Sequence, residues 1–114
     1  MHEGAQSMNS FEDREKAFET KFAKDQELIF RVTARRNRLL GEWAGSLMGL
    51  TKEETDAYAK AVVQADFEEA GDEDVIRKVL GDLVSAGVDA DESKVRTALS
   101  DKAAEARRQF MQEG

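Results

Sequence analysis

Residues 71 to 87 read GDEDVIRKVLGDLVSAG, and the fold turns on how this stretch is read. Val75/Ile76, Val79/Leu80 and Leu83/Val84 recur at i, i+4 and i+8, which lines them up on one face of a helix. Gly71 and Gly87 bracket the run as helix stops, and Asp72, Glu73 and Asp74 set negative charge at the positive end of the macrodipole. The spacing predicts a helix from Asp72 to about Ala86.

Moving outward, Thr51 and Glu54 form a capping box for a helix from Lys52 to about Ala70, with Tyr58, Ala61, Val62 and Ala65 on its inner face. Upstream, nothing breaks a helix between Ser10 and about Met48. Ser10 with Asp13 supplies its cap signal, and Gly49 its left-handed stop. Phe11, Phe18, Phe22, Ile29, Val32, Leu39, Leu40, Trp43 and Leu47 recur along it at helical intervals, with Trp43 expected on the inner face. Gly41, Gly45 and Gly49, four apart, point to close helix packing and termination. Downstream, Asp89 with Glu92 reads as a further cap, ahead of a helix carrying Val95, Leu99, Ala103, Ala106 and Phe110. The fold class is all-α: a four-helix bundle-like array with a long, partly protruding N-terminal helix.

Composition agrees. The chain has 114 residues, no Pro, and 24 acidic against 17 basic side chains, for a net charge of -7. That is room for one small domain with a thin core. Without Cys there is neither a disulfide framework nor a thiolate metal site, and His2 as the sole histidine excludes a Ser-His-Asp triad or an imidazole-bound zinc. The acidic runs at 72–74 and 89–92 lack the ligand spacing of a calcium loop. Phosphate-loop and dinucleotide glycine fingerprints are absent, and no carboxylate pair stands out, so an enzyme is not expected. No apolar run approaches the ~18 residues of a membrane span and no signal peptide is visible, which predicts a soluble cytoplasmic protein. Arg31, Arg35, Arg36 and Arg38, with Arg107 and Arg108, are the basic concentrations. They read as solvated helix faces or as a site for an anionic ligand. Nucleic acid is not expected, because the chain is acidic and the cluster lacks interleaved aromatics for stacking on bases.

A bland bundle leaves residues 11 to 27, FEDREKAFETKFAKDQE, unexplained. Dense charge surrounds Phe11, Phe18 and Phe22, and a helix of about 38 residues spans roughly 57 Å, about twice the length of a ~19-residue bundle helix. Either these aromatics fold back onto the bundle, or they are anchors for another protein's groove. The organisation expected is a disordered leader at 1–7, an N-terminal segment at 8–28 and a helical anchor at 29–114.

The stretch SFEDREKAFETKFAKDQELIFRVTARRNRLLGEW from Ser10 to Trp43 closely resembles the start of the zeta subunit family, the small inhibitor of the F-type ATP synthase of alphaproteobacteria. LTKEETDAYAKAVVQADFEEAGDEDVIRKVLGDL, Leu50 to Leu83, is similar to the family's middle. The resemblance implies a four-helix protein, monomeric when free, whose N-terminal segment blocks ATP hydrolysis. That segment would enter a catalytic interface between the alpha and beta subunits, against the central stalk, and so hold the protein peripherally at the membrane. The positions it carries over are Asn9, Ser10, Phe11, Glu12, Asp13, Arg14, Glu15, Lys16, Phe18, Lys21 and Phe22. Gly45 and Ser46 depart from the family's larger or more helix-favouring residues. The resemblance implies no cofactor; nucleotide binding is associated with the fold, with no residue of this chain assigned to it. The alternative is a small helical regulator that binds nucleotide or another anionic ligand through the Arg clusters.

Overall fold

The structure is a computed structural model. It describes the backbone of residues 4–68 and 71–113 and the side chains of residues 26–66 and 71–111. Four helices follow one another: α1 (Gly4–Leu47), α2 (Lys52–Glu68), α3 (Asp72–Ser85) and α4 (Glu92–Glu113). No strand occurs among the described residues. The chain divides into two compact units, Met1–Arg31 and Val32–Gly114.

Local chemistry sets the ends of the helices. Gly49 takes φ +73° and Gly87 takes φ +83°. At the first, Gly49 N–H donates to Ser46 O (3.1 Å) and Leu50 N–H to Gly45 O (3.0 Å); at the second, Gly87 N–H donates to Val84 O (3.0 Å) and Val88 N–H to Leu83 O (2.9 Å). Both are Schellman closures, in which a left-handed glycine lets the following N–H groups reach back to carbonyls left open at the helix end. The capping box forms as its sequence predicts: Thr51 N–H donates to Glu54 Oε1 (2.8 Å), and Glu54 N–H donates to Thr51 Oγ1 (3.1 Å).

Two expected starts are displaced. α1 begins at Gly4, so Ser10 lies inside the helix and is not its cap; the side chains of the expected leader at 1–7 lie outside the described residues. α4 is capped by Asp91, whose Oδ1 accepts from Lys94 N–H at 2.8 Å. Asp89 instead offers its backbone carbonyl to Lys94 Nζ at 3.3 Å. The residue whose carboxylate stands next to the open N–H groups becomes the cap, and the helix begins one residue after Asp91.

The core lies in the second unit. Leu40 and Ala44 from α1, Ala59 and Val62 from α2, Val75, Ile76, Val79 and Leu83 from α3, and Val95, Ala98, Leu99 and Ala106 from α4 are buried. α3 gives the bulkiest set, with no alanine among its four, as its pattern predicts, except that Val84 is 57% exposed. Trp43 and Tyr58 pack against this core while remaining partly exposed. Three expected core positions are not core: Ile29 is 59% exposed, Leu47 is 40% exposed, and Ala61 is exposed. On α2 the buried alanine is Ala59 because α1 approaches there. A Cβ built on Gly41 would stand 2.6 Å from Ala59 Cα and 3.3 Å from Val62 Cγ2, and one on Gly45 would stand 2.9 Å from Thr55 Cγ2. The glycine spacing of four thus brings α1 and α2 almost backbone to backbone, and this approach fixes which face of α2 turns inward.

Gly41 and Gly81 provide a matched test. Gly41→Ala drives a methyl into the Ala59 backbone and should destabilise by about 1–3 kcal/mol, since the two helices must part. Gly81 sits in α3, where an added methyl would meet nothing within 4 Å, so Gly81→Ala should stabilise by about 0.5–1 kcal/mol through helix propensity. Thermal denaturation followed by circular dichroism should show melting temperatures moving in opposite directions.

Candidate functional site

The run ARRNR, Ala34 to Arg38, is the most chemically loaded part of the described chain. Successive residues on a helix point about 100° apart. Arg35, Arg36 and Arg38 therefore fan outward, and each meets a different helix. Arg35 donates to Gln109 Oε1 on α4 and lies over the Phe110 ring, its guanidinium carbon 5.0 Å from the centroid. Arg36 pairs with Asp72 at the start of α3 (Nη1 to Oδ1, 3.0 Å). Arg38 donates to Asp56 on α2 and pairs with Glu42 one turn along α1 at 3.4 Å. Arg31, in the first unit, pairs with Glu27 on its own helix.

Arg36 is the buried member, 9% exposed, and beside it Asn37 is completely enclosed. Arg36 Nε donates to Asn37 Oδ1 at 3.0 Å. Arg36 Nη2 and Asn37 Nδ2, both buried, have no hydrogen-bond partner among the described residues. Each such donor costs about 1–3 kcal/mol. This polar pair is thus a costly feature of the core that sequence reasoning misses, because a helix face read by hydrophobicity assigns Arg and Asn to solvent.

The acidic run at the start of α3 is spent on these contacts. Asp72 holds Arg36, Asp74 holds Arg77 at 3.1 Å, and Glu73 receives Arg96 of α4 at 2.7 Å. Gly71 precedes the helix without a side-chain cap, so the acids of the first turn are what complement its dipole. Among the described residues no cluster of His, Cys, Asp and Glu has the makings of a metal site. Tyr58 joins α2 to α3: its hydroxyl donates to Asp82 Oδ2 at 2.7 Å, and Lys78 reaches the same oxygen at 3.2 Å. Burial, and then the bond to Asp82, hold the Tyr58 phenol well above its ordinary pKa, so it is a neutral donor at any physiological pH.

The basic cluster offered by the sequence as an anion site is therefore largely an internal clasp. Arg107 and Arg108 are exposed on α4. The positions expected to form the inhibitory segment, Asn9 to Phe22, fall on α1, and their side chains lie outside the described residues.

What the fold defines is a small all-α protein of four helices, with Arg36, Arg38 and Arg96 pairing across from one helix to another. The chain belongs to the ATPase inhibitor subunit zeta family, whose description it matches over residues 8–109. It is also similar to a protein whose structure was determined by NMR in solution: 47% identity, a TM-score of 0.66, and coverage of 75% of this chain and 96% of that one. No curated protein matches it. Among the described residues no helix is long and apolar enough to cross a membrane.

The clasp gives two predictions. Arg36→Ala removes the Asp72 pair and leaves Asn37 Oδ1 as well as Nδ2 without a partner, so it should cost about 2–4 kcal/mol, whereas Arg31→Ala, at an exposed pair, should change stability by less than about 1 kcal/mol; urea titration measures both. Asp56 is held below its ordinary pKa first by the Arg38 hydrogen bond and then by Lys60. A carboxylate depressed in the folded state stabilises above its unfolded pKa, near 3.9, and loses that contribution as pH falls through the folded value. Asp56→Asn should accordingly flatten the fall in stability below about pH 4, read from melting temperatures across an acid series.

Proposed function

We propose that this protein inhibits ATP hydrolysis by the F-type ATP synthase, with residues 9–22 as the segment that enters a catalytic interface between the alpha and beta subunits against the central stalk. The helices from Val32 onward serve as the anchor. Membership of the ATPase inhibitor subunit zeta family, matched from residue 8 to residue 109, is the observation that carries this reading. The buried side chains among the described residues, from Arg36 to Ala106, form the core of the proposed anchor.

Energetics set what the segment must do. Burying Phe11, Phe18 and Phe22 is worth about 1.5–3 kcal/mol each, while association itself costs roughly 4–15 kcal/mol. Aromatic burial alone gives weak binding. Glu12, Asp13, Arg14, Glu15 and Lys16 must therefore meet complementary charges in the groove, which also fixes register and orientation. The anion-binding alternative is disfavoured by the clasp, since Arg36 and Arg38 already face carboxylates.

Addition of the protein to membrane-stripped ATP synthase should slow ATP hydrolysis. Deletion of residues 9–22 should abolish that effect and leave the melting temperature within a few degrees. Phe18→Ala should weaken inhibition about thirtyfold, as loss of a buried aromatic anchor of ~2 kcal/mol implies, and Arg107→Ala should leave it unchanged. Full inhibition by the truncated chain would overturn the division into effector and anchor.

A further inference from the structure

Within the second unit, the buried positions of α1 are Arg36, Asn37, Leu40, Gly41, Ala44 and Gly45. Adjacent pairs four residues apart share one side of a helix, so these form a single inward stripe. The stripe of α3 has the same form, with Val75, Ile76, Val79 and Leu83 buried, and every one of those is a large apolar side chain. On α1 the stripe has Leu40 alone of that kind. The glycines bury no side chain, Ala44 adds a methyl group, and the other pair is polar. Trp43 contributes beside the stripe, where it stays partly exposed. α1 therefore gains much less from its burial than α3 does.

The polar pair works against closure. Arg36 Nη2 and Asn37 Nδ2 are the buried side-chain donors left unmet among the described residues, and both belong to α1. An unmet buried donor costs about as much as burying one leucine gains, so together they offset at least what Leu40 contributes. Both would recover hydrogen bonds from water once α1 left its neighbours, with no change needed in α2, α3 or α4. What holds α1 in place lies around the polar pair: the approach of Gly41 to Ala59, the Arg36 pair with Asp72, and the Arg38 pair with Asp56. The Asp72 side chain is more than half exposed, and those of Arg38 and Asp56 are about two-fifths exposed. Pairs as open to water as that of Arg38 with Asp56 are weak.

We propose that residues 32–47 of α1 are a releasable layer: they separate from α2, α3 and α4 while those helices stay folded, and the hydration of Arg36 and Asn37 drives the separation. The helices left behind retain a connected apolar core of their own, with Val62, Val75, Val79, Leu83, Val95 and Leu99. Separation uncovers α2 at Ala59 and Val62, the residues against which Gly41 is set. The fold thus has two states, a closed one that hides this side of α2 and an open one that presents it. The unmet donors bring the open state within reach, because they are a cost carried by the closed state alone.

Native-state amide exchange of the full chain in dilute urea tests this. The amides of Leu40 to Ala44 should exchange about a hundredfold faster than those of Val79 to Leu83, since a single released helix protects its amides only weakly. Gly81→Ala strengthens α3 at a position where the added methyl meets nothing within 4 Å. It should slow exchange in α3 about threefold and leave α1 unchanged. Arg36→Met/Asn37→Leu removes both donors at similar volume and should slow exchange in both helices by one common factor, about tenfold, because the pair is hydrated in the open state as it is in the unfolded chain. Equal protection of α1 and α3, or an α1 that slows together with α3 in Gly81→Ala, would mean that α1 leaves only when the whole unit unfolds. A double variant that exchanges faster, or does not fold, would mean that the polar pair holds α1 closed. Any of these results overturns the proposal.

Discussion

The near-contact of α1 and α2 at Gly41 and Gly45 is the constraint from which the rest of the second unit follows. With Ala59 Cα only 2.6 Å from where a Gly41 Cβ would stand, the two helices are as close as backbone permits. The chain has few large apolar residues and many alanines, so it cannot fill wide gaps between helices; it must bring them together instead. Once α1 and α2 are in contact, Leu40 and Ala44 on one and Val62 on the other meet the apolar face of α3, and α4 closes the layer with Val95, Ala98 and Leu99. The thinness of the core is thus offset by short distances.

That geometry also explains the behaviour of the arginines. Where helices lie close, a long side chain leaving α1 reaches its neighbours before it reaches bulk water. Arg35, Arg36 and Arg38 meet α4, α3 and α2 in turn. In a chain with net charge -7, the basic groups are scarce and carboxylates plentiful, so a guanidinium finds an acidic partner in most directions. Most of these pairs are partly exposed and individually weak. Arg36 with Asn37 is the exception, a polar pair inside the core whose unmet donors make it costly, and therefore the place where a substitution on α1 is felt most.

For a protein that acts by binding, this division of labour has a consequence. Charges committed to internal pairs are withdrawn from recognition. A unit whose charges are paired within itself can keep its fold whether or not a partner is present.

Much of this is legible in the chain itself. The Schellman glycines at 49 and 87, the Thr51–Glu54 box and the amphipathic run from Val75 to Leu83 depend on contacts within a few residues, so spacing alone reveals them. The ARRNRLLGEW and FEDREKAFETKFA stretches are long and specific enough to point to the family that residues 8–109 match. Sequence alone puts the cap of α4 two residues early, because Asp89 and Asp91 offer the same chemistry and only the path of the backbone selects between them. It finds Tyr58 and Val62 on the inward face of α2 but takes Ala61 for Ala59: with alanine at 57, 59, 61 and 65, periodicity does not settle which alanine turns inward, and the approach of Gly41 does. The burial of Arg36 and Asn37, and the partner of each arginine, belong wholly to the tertiary structure. A charge placed on a helix surface has no assigned neighbour until another helix arrives beside it.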